Sequence, residues 1–157
     1  MKTMNSKILS QLIDLTTQAG EIIMDLRINS TNYSIKADNT PVTIADKASH
    51  ELIVNTLQKL TPNIPILSEE SSHIPFSTRQ SWNEYWLIDP LDGTRDFIDG
   101  SPDFCISIAL IRDKYPIFGL IYSPFNKAHY YRLENNSSIK LVNQTTFKIL
   151  TTKPKRW

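Results

Sequence analysis

Four aspartates crowd one stretch of the chain, WLIDPLDGTRDFIDGS at residues 86–101: Asp89, Asp92, Asp96 and Asp99. Their offsets of 3, 4 and 3 match one face of an α-helix. Pro90 and Gly93 argue against a helix through the first half. Pro90 lacks an N–H and pushes Asp89 away from helical geometry. Gly93 permits backbone angles that other residues resist. The pattern reads as a strand, a tight DPLDG loop and a short helix opening near Thr94. Asp89 and Asp92 can then point at one spot. Two hard carboxylates with a backbone carbonyl suit Mg²⁺, and N–H groups opening a helix beside them suit a phosphate. On these residues alone an alternative stands equally: Asp92 as an N-cap and Asp89 as a turn residue.

Two other acidic sites lie at predicted element ends. LSEES places Glu69 and Glu70 directly after a short apolar run, where paired glutamates commonly enter a solvated loop. PVTIAD places Asp46 in the first turn of a helix, where a carboxylate commonly meets the helix dipole.

The elements that must position these groups follow from periodicity. Residues 5–28 form a predicted amphipathic helix, capped by Asn5 or Ser6 and ended by NSTN. YSIKADNTPVT reads as a turn-rich or hairpin connection. Residues 44–60 form a second helix, with Thr43 as N-cap and TPN as its stop. IPILS (64–68) and YWLID (85–89) are short apolar strands, and 71–81 is a polar loop. DFCISIALI, IFGLIYS, AHYYRLE, IKLV and TFKIL follow as strands, separated by turn chemistry at hairpin lengths. Two helices followed by a run of strands predict an α+β fold with a largely antiparallel sheet.

Composition excludes several classes. At 157 residues one domain is the default. A net charge of +1 gives no basic footprint for nucleic acid. The apolar runs are too short for a membrane span, the N-terminus lacks a continuous apolar leader segment, and a cytoplasmic protein is expected. The lone Cys105 sits in FCISIALI and reads as a buried small hydrophobe, not a nucleophile. His50, His73 and His129 have no zinc spacing. The four glycines form neither GxGxxG nor a Walker A loop.

PVTIAD, LSEES and WLIDPLDGTRDFIDG, in this order and approximate spacing, resemble the inositol monophosphatase superfamily of lithium-sensitive, Mg²⁺-dependent phosphomonoesterases. DPLDGTRDF, with KADNTPVT and LTPNIPILSEES, looks most like its bacterial 3'(2'),5'-bisphosphate nucleotidase branch. That branch removes the 3'-phosphate of adenosine 3',5'-bisphosphate. The inositol phosphatase branch more often has isoleucine and a neutral residue where this chain has Leu91 and Arg95. The nucleotidase branch usually has Lys-Glu where this chain has Arg95-Asp96.

The resemblance implies roles residue by residue. Glu69, Asp89 and the Leu91 carbonyl would hold a first Mg²⁺, Asp89 and Asp92 a second, and Asp46 would lie near a third. Glu69, Leu91, Asp92, Gly93 and Thr94 would contact the substrate, with the phosphate on the N–H groups of Gly93 and Thr94. Glu69 and the Thr94 hydroxyl would activate water, and Glu70 would support them from behind. The substrate would be a small phosphorylated nucleotide. The alternatives are an inositol 1-phosphate or other sugar-phosphate phosphatase, or an inactive remnant that binds only metal or a partner. Localisation would be cytoplasmic, with peripheral attachment at the inner membrane as the variant.

Residues 1–150 resemble the N-terminal part of the layered α/β/α/β sugar-phosphatase fold, and TTKPKRW at 151–157 reads as a non-family solvated tail. The family's C-terminal α/β portion, with a Trp-Asp motif that completes the second metal site, has no counterpart here. Trp82 precedes Asn83, Trp86 precedes Leu87, and Trp157 is last. The expectation is an uncovered apolar sheet face that self-associates or recruits another chain.

Overall fold

The computed structural model describes residues 4–29, 33–35, 41–71, 73–133 and 138–149. Most of the NSTN stop and the whole 151–157 tail lie outside the described residues. Helix α1 (Ser6–Asn29) opens on Asn5, whose Oδ1 accepts the Ile8 N–H at 2.9 Å. Leu12, Leu15, Ala19 and Ile23 recur at helical spacing and are buried. A short hairpin, β1 (Tyr33–Ile35) with β2 (Pro41–Thr43), leads into α2 (Ile44–Leu60). Ala45, Ser49, Ile53 and Leu57 form the buried stripe of α2. Thr61 closes the helix: its N–H and hydroxyl both donate to the Leu57 carbonyl, and its Oγ1 accepts the Trp86 indole N–H at 2.9 Å.

The remaining strands are β3 (Ile66–Ser68), β4 (Glu84–Asp92), β5 (Cys105–Arg112), β6 (Tyr115–Ser123), β7 (Ala128–Leu133), β8 (Ser138–Val142) and β9 (Thr145–Ile149). They form one sheet in the order of the chain. Only β3 and β4 run parallel, and every later pairing is antiparallel. Two hairpins turn on consecutive positive-φ residues, Asp113–Lys114 and Asn143–Gln144, the backbone that a two-residue turn between twisted strands requires.

Three local expectations change. The 71–81 segment contains a short helix, α3 (Phe76–Arg79), with Arg79 over the Phe76 ring; four residues offer no apolar period to read. β4 runs through DPLD rather than stopping at Asp89, because pairing with β5 slips after Asp89↔Ser107 and resumes at Asp92↔Cys105. A register shift of this kind accommodates a proline inside a strand. Cys105 is half-buried and alternates away from the core side taken by Ile106 and Ile108.

Helices α1 and α2 pack on one sheet face over Trp86, Ile88, Ile106, Ile108, Phe118 and Leu120. Trp86 meets Phe118 edge-on at 6.2 Å. The opposite face carries a groove of about 820 Å³ whose lining includes Glu69, Asp89, Ser107, Ile121, Tyr130 and Arg132. On that face Leu87 is 42% exposed and Ile121 45%. Among the described residues no helix is long and apolar enough to cross a membrane.

Candidate metal and phosphate site

The parallel β3–β4 joint brings the first two carboxylates together. Its register pairs Ser68 with Ile88, and the Glu69 N–H continues the ladder by donating to the Ile88 carbonyl at 3.1 Å. Glu69 therefore lies beside Asp89, one strand spacing of roughly 4.8 Å away. Partners in a parallel ladder point to the same side, so both carboxylates leave the sheet on one face. There the Glu69 carboxylate is near enough to act on that of Asp89.

Asp92 joins them through the register slip. Its Oδ2 accepts the Cys105 thiol at 3.9 Å. Burial, and then the Glu69 and Asp92 carboxylates, push Asp89 up from 3.8 to about 7, against a lowering hydrogen bond from the Leu91 N–H. The same burial raises the Cys105 thiol, which keeps it protonated and a poor nucleophile.

The Leu91 carbonyl accepts the Thr94 hydroxyl at 3.0 Å, so one carbonyl and one hydroxyl already meet beside the carboxylates. Gly93 follows at φ 87°, a left-handed residue between β4 and helix α4 (Thr94–Ile98). A Cβ there would stand 2.7 Å from the Asp103 carbonyl oxygen, so the turn can be this tight only with glycine. The Phe97 N–H donates to the Gly93 carbonyl, closing the first turn of α4.

Asp46 enters from α2. It is 2% exposed and lies one turn before Ser49, whose hydroxyl donates to the Pro90 carbonyl at 2.9 Å. Residues so spaced share a helix face, so the face of α2 that bears Asp46 is the one packed on the β4 slip. Glu70 is half-buried in the turn that the Ser71 N–H closes on the Ser68 carbonyl. Asp96 and Asp99 are exposed on α4 and at its C-terminal end, apart from the cluster.

By type the donors here, carboxylates and a backbone carbonyl, are oxygen ligands of the kind a divalent cation takes. Carboxylates gathered at one partly buried point repel unless a proton or a cation lies among them; burial first, and that repulsion second, raise Asp89. Among the described residues no group of three or more His, Cys, Asp and Glu side chains stands close enough to hold a metal ion by itself. The cluster is an open one, built from two strand ends and a bulge, with a carbonyl as the further oxygen.

Sequence reasoning gave no role in this site to three residues around it, Ser49, His50 and Arg27, of which it considered only His50. Ser49 interrupts the apolar face of α2 with a buried hydroxyl, and that interruption is the available signal. His50 Nδ1 lies 2.9 Å from the Ser68 hydroxyl, just before Glu69. Arg27, in the last turn of α1, donates to the Ser101 carbonyl at 2.6 Å and covers the rings of Phe97 and Phe104. It thereby ties α1 to the segment that carries α4.

The sequence pattern of the inositol monophosphatase family matches residues 4–153. The chain is 40% identical over 140 residues to the 3'(2'),5'-bisphosphate nucleotidase CysQ of Aggregatibacter actinomycetemcomitans, across 89% of this chain and 52% of that protein. It is 42% identical over 131 residues to CysQ of Salmonella typhimurium, across 82% and 53%. Among solved structures, CysQ from Bacteroides thetaiotaomicron superposes with a TM-score of 0.70 at 36% identity, across 83% of this chain and 47% of that one. The Thermotoga maritima IMPase gives 0.74 at 26% identity, across 84% and 50%. The chain thus spans about half the length of the curated relatives it matches.

Proposed function

Because the chain belongs to the inositol monophosphatase family, we propose that it carries the catalytic loop of a Mg²⁺-dependent phosphomonoesterase acting on the 3'-phosphate of adenosine 3',5'-bisphosphate. The products would be AMP and phosphate. The observation that carries the reading is the meeting of Glu69 and Asp89 across the parallel β3–β4 joint, with Asp92, the Leu91 carbonyl and the Gly93–Thr94 turn in the same bulge. Identities of about 40% to nucleotidases support the choice of substrate.

In this reading Glu69, Asp89, Asp92 and the Leu91 carbonyl hold Mg²⁺, and Asp46 lies near a further ion or its waters. When bound, Mg²⁺ supplies positive charge to the phosphate oxygens and makes a water easier to deprotonate. The chain's own groups do the rest. Glu69 accepts a proton from the attacking water. The Thr94 hydroxyl orients that water by accepting a hydrogen bond from it, while its own proton stays on the Leu91 carbonyl. The N–H groups of Gly93 and Thr94 receive the substrate phosphate and fix the line of attack. Glu70 and Ser68 steady the strand end that presents Glu69.

The test is phosphate release from adenosine 3',5'-bisphosphate with and without Mg²⁺, using Asp89→Asn as control. Mg²⁺-dependent release that vanishes in the variant supports the reading. A folded chain that neither binds Mg²⁺ nor releases phosphate refutes it for these 157 residues.

A further inference from the structure

Where the β4 pairing slips, side chains bond three backbone polar groups. Pairing with β5 lapses after Asp89↔Ser107 and returns at Asp92↔Cys105. Pro90 between them has no N–H to satisfy. The Leu91 N–H donates to Asp89 Oδ1 at 3.2 Å. The Leu91 carbonyl accepts the Thr94 hydroxyl at 3.0 Å. The Pro90 carbonyl accepts the Ser49 hydroxyl at 2.9 Å. Side chains thus bond each of these three groups.

Two of these side chains, Asp89 and Thr94, belong to the proposed site. Ser49 does not. It lies on α2, 41 residues before Pro90, and is 0% exposed. Its bond fixes the Pro90–Leu91 peptide plane from the helix side, as Thr94 fixes the next plane from the other. The Leu91 carbonyl has two lone pairs and gives one to Thr94. Whether its second lone pair and Asp89 converge on one cation depends on how that peptide is turned.

We propose that Ser49 is a positioning residue for the cation site, setting the orientation of the Leu91 carbonyl through the Pro90 carbonyl it holds. The inference rests on reading Asp89, Leu91 and Asp92 as metal ligands. A group behind a metal ligand typically changes affinity by about 10–100-fold when removed. A purely structural hydroxyl would lower the melting temperature equally with and without metal and leave metal affinity unchanged.

The experiment is Mg²⁺ titration of the full chain by calorimetry, with melting temperature followed in parallel. Ser49→Ala is expected to weaken Mg²⁺ binding about tenfold and to shrink the Mg²⁺-induced rise in melting temperature. Ser49→Thr, which keeps the hydroxyl, is expected to restore both. Should the alanine variant fail to fold, Ser49→Cys takes its place, with nearly the same volume and a weaker donor. Equal Mg²⁺ affinity in wild type and the variant lacking the hydroxyl overturns the proposal while leaving the metal reading intact. Absence of Mg²⁺ binding in the wild type overturns both together.

Discussion

Gly93→Ala should be the most informative one-methyl change near the site. Gly93 sits at φ 87° and ψ 36°, where an L-residue loses roughly 1–2 kcal/mol. The added methyl would stand 2.7 Å from the Asp103 carbonyl oxygen, and 3.2 and 3.3 Å from Phe104 Cα and Cβ. Neither neighbour yields easily. The first is backbone, and Phe104 is buried edge-on against Phe97 beneath Arg27. Forcing a methyl into such a contact costs about 1–3 kcal/mol. Alanine also stiffens the unfolded chain, which returns about 0.4–1 kcal/mol. The net loss should be about 1–4.6 kcal/mol. For a domain of this size that lowers the melting temperature by roughly 2–18 °C. Gly119→Ala is the matched control: nothing lies within 4 Å of the point its methyl would occupy, and its φ is not in the left-handed region. Calorimetric melting of the two variants decides the matter. A Gly93→Ala chain that melts within about 1 °C of wild type would show that the turn does not need its left-handed glycine, and the account of how α4 is set against β4 would fail.

Asp89→Asn removes a half-buried carboxylate that faces Glu69 and Asp92. In chelator-treated buffer at pH 8 it should melt higher than wild type, and Mg²⁺ should no longer raise its melting temperature; an undiminished Mg²⁺ effect would remove Asp89 from the ligand set. His129 is buried against Thr16 and stacked on Tyr122 at 4.2 Å, and burial holds it below its ordinary 6.5 despite the nearby Asp14. The unfolded chain takes that proton first, so stability should fall as pH drops below 6.5. Urea midpoints at pH 7.5 and 5.5 check this, and His129→Gln should flatten the difference; an unchanged slope would assign it to other groups. Ile121→Lys charges the centre of the open sheet face, where Ile121 is 45% exposed. It should reduce concentration-dependent association in sedimentation velocity, and wild type that stays monomeric throughout the dilution series would refute association through this face.

How much of the fold is legible in the sequence depends on whether the information is local. α2 begins at Ile44 and ends at Leu60, the bounds expected from Thr43 as a capping residue type and from the TPN stop in the sequence itself. α3 is invisible there because four residues with an exposed Phe76 leave no periodic trace. The end of β4 is hidden for a different reason. Proline and glycine are local signals for a loop, but what extends the strand to Asp92 is its partner Cys105 on β5. Pairing is a tertiary fact, and it outweighs the punctuation.

The same division runs through the site. Residue types mark Asp89 and Asp92 as candidate ligands, because both fall within one short loop motif. Glu69 lies 20 residues before Asp89, and nothing in LSEES says which strand it will adjoin. The parallel register, Ile66 on Trp86 through Ser68 on Ile88, is what places the two carboxylates side by side. That register is fixed by burial: Trp86 and Ile88 must face the helices, and a slip by one residue would turn them, and Asp89 with them, to the wrong side. The apolar residues of β4 thus determine where its acidic residue points. Trp86 carries a further constraint, since its indole N–H needs the Thr61 hydroxyl at the end of α2. Changing Trp86 should therefore disturb the carboxylate cluster without touching any of its members, which makes the packing of the strand part of the chemistry at its end.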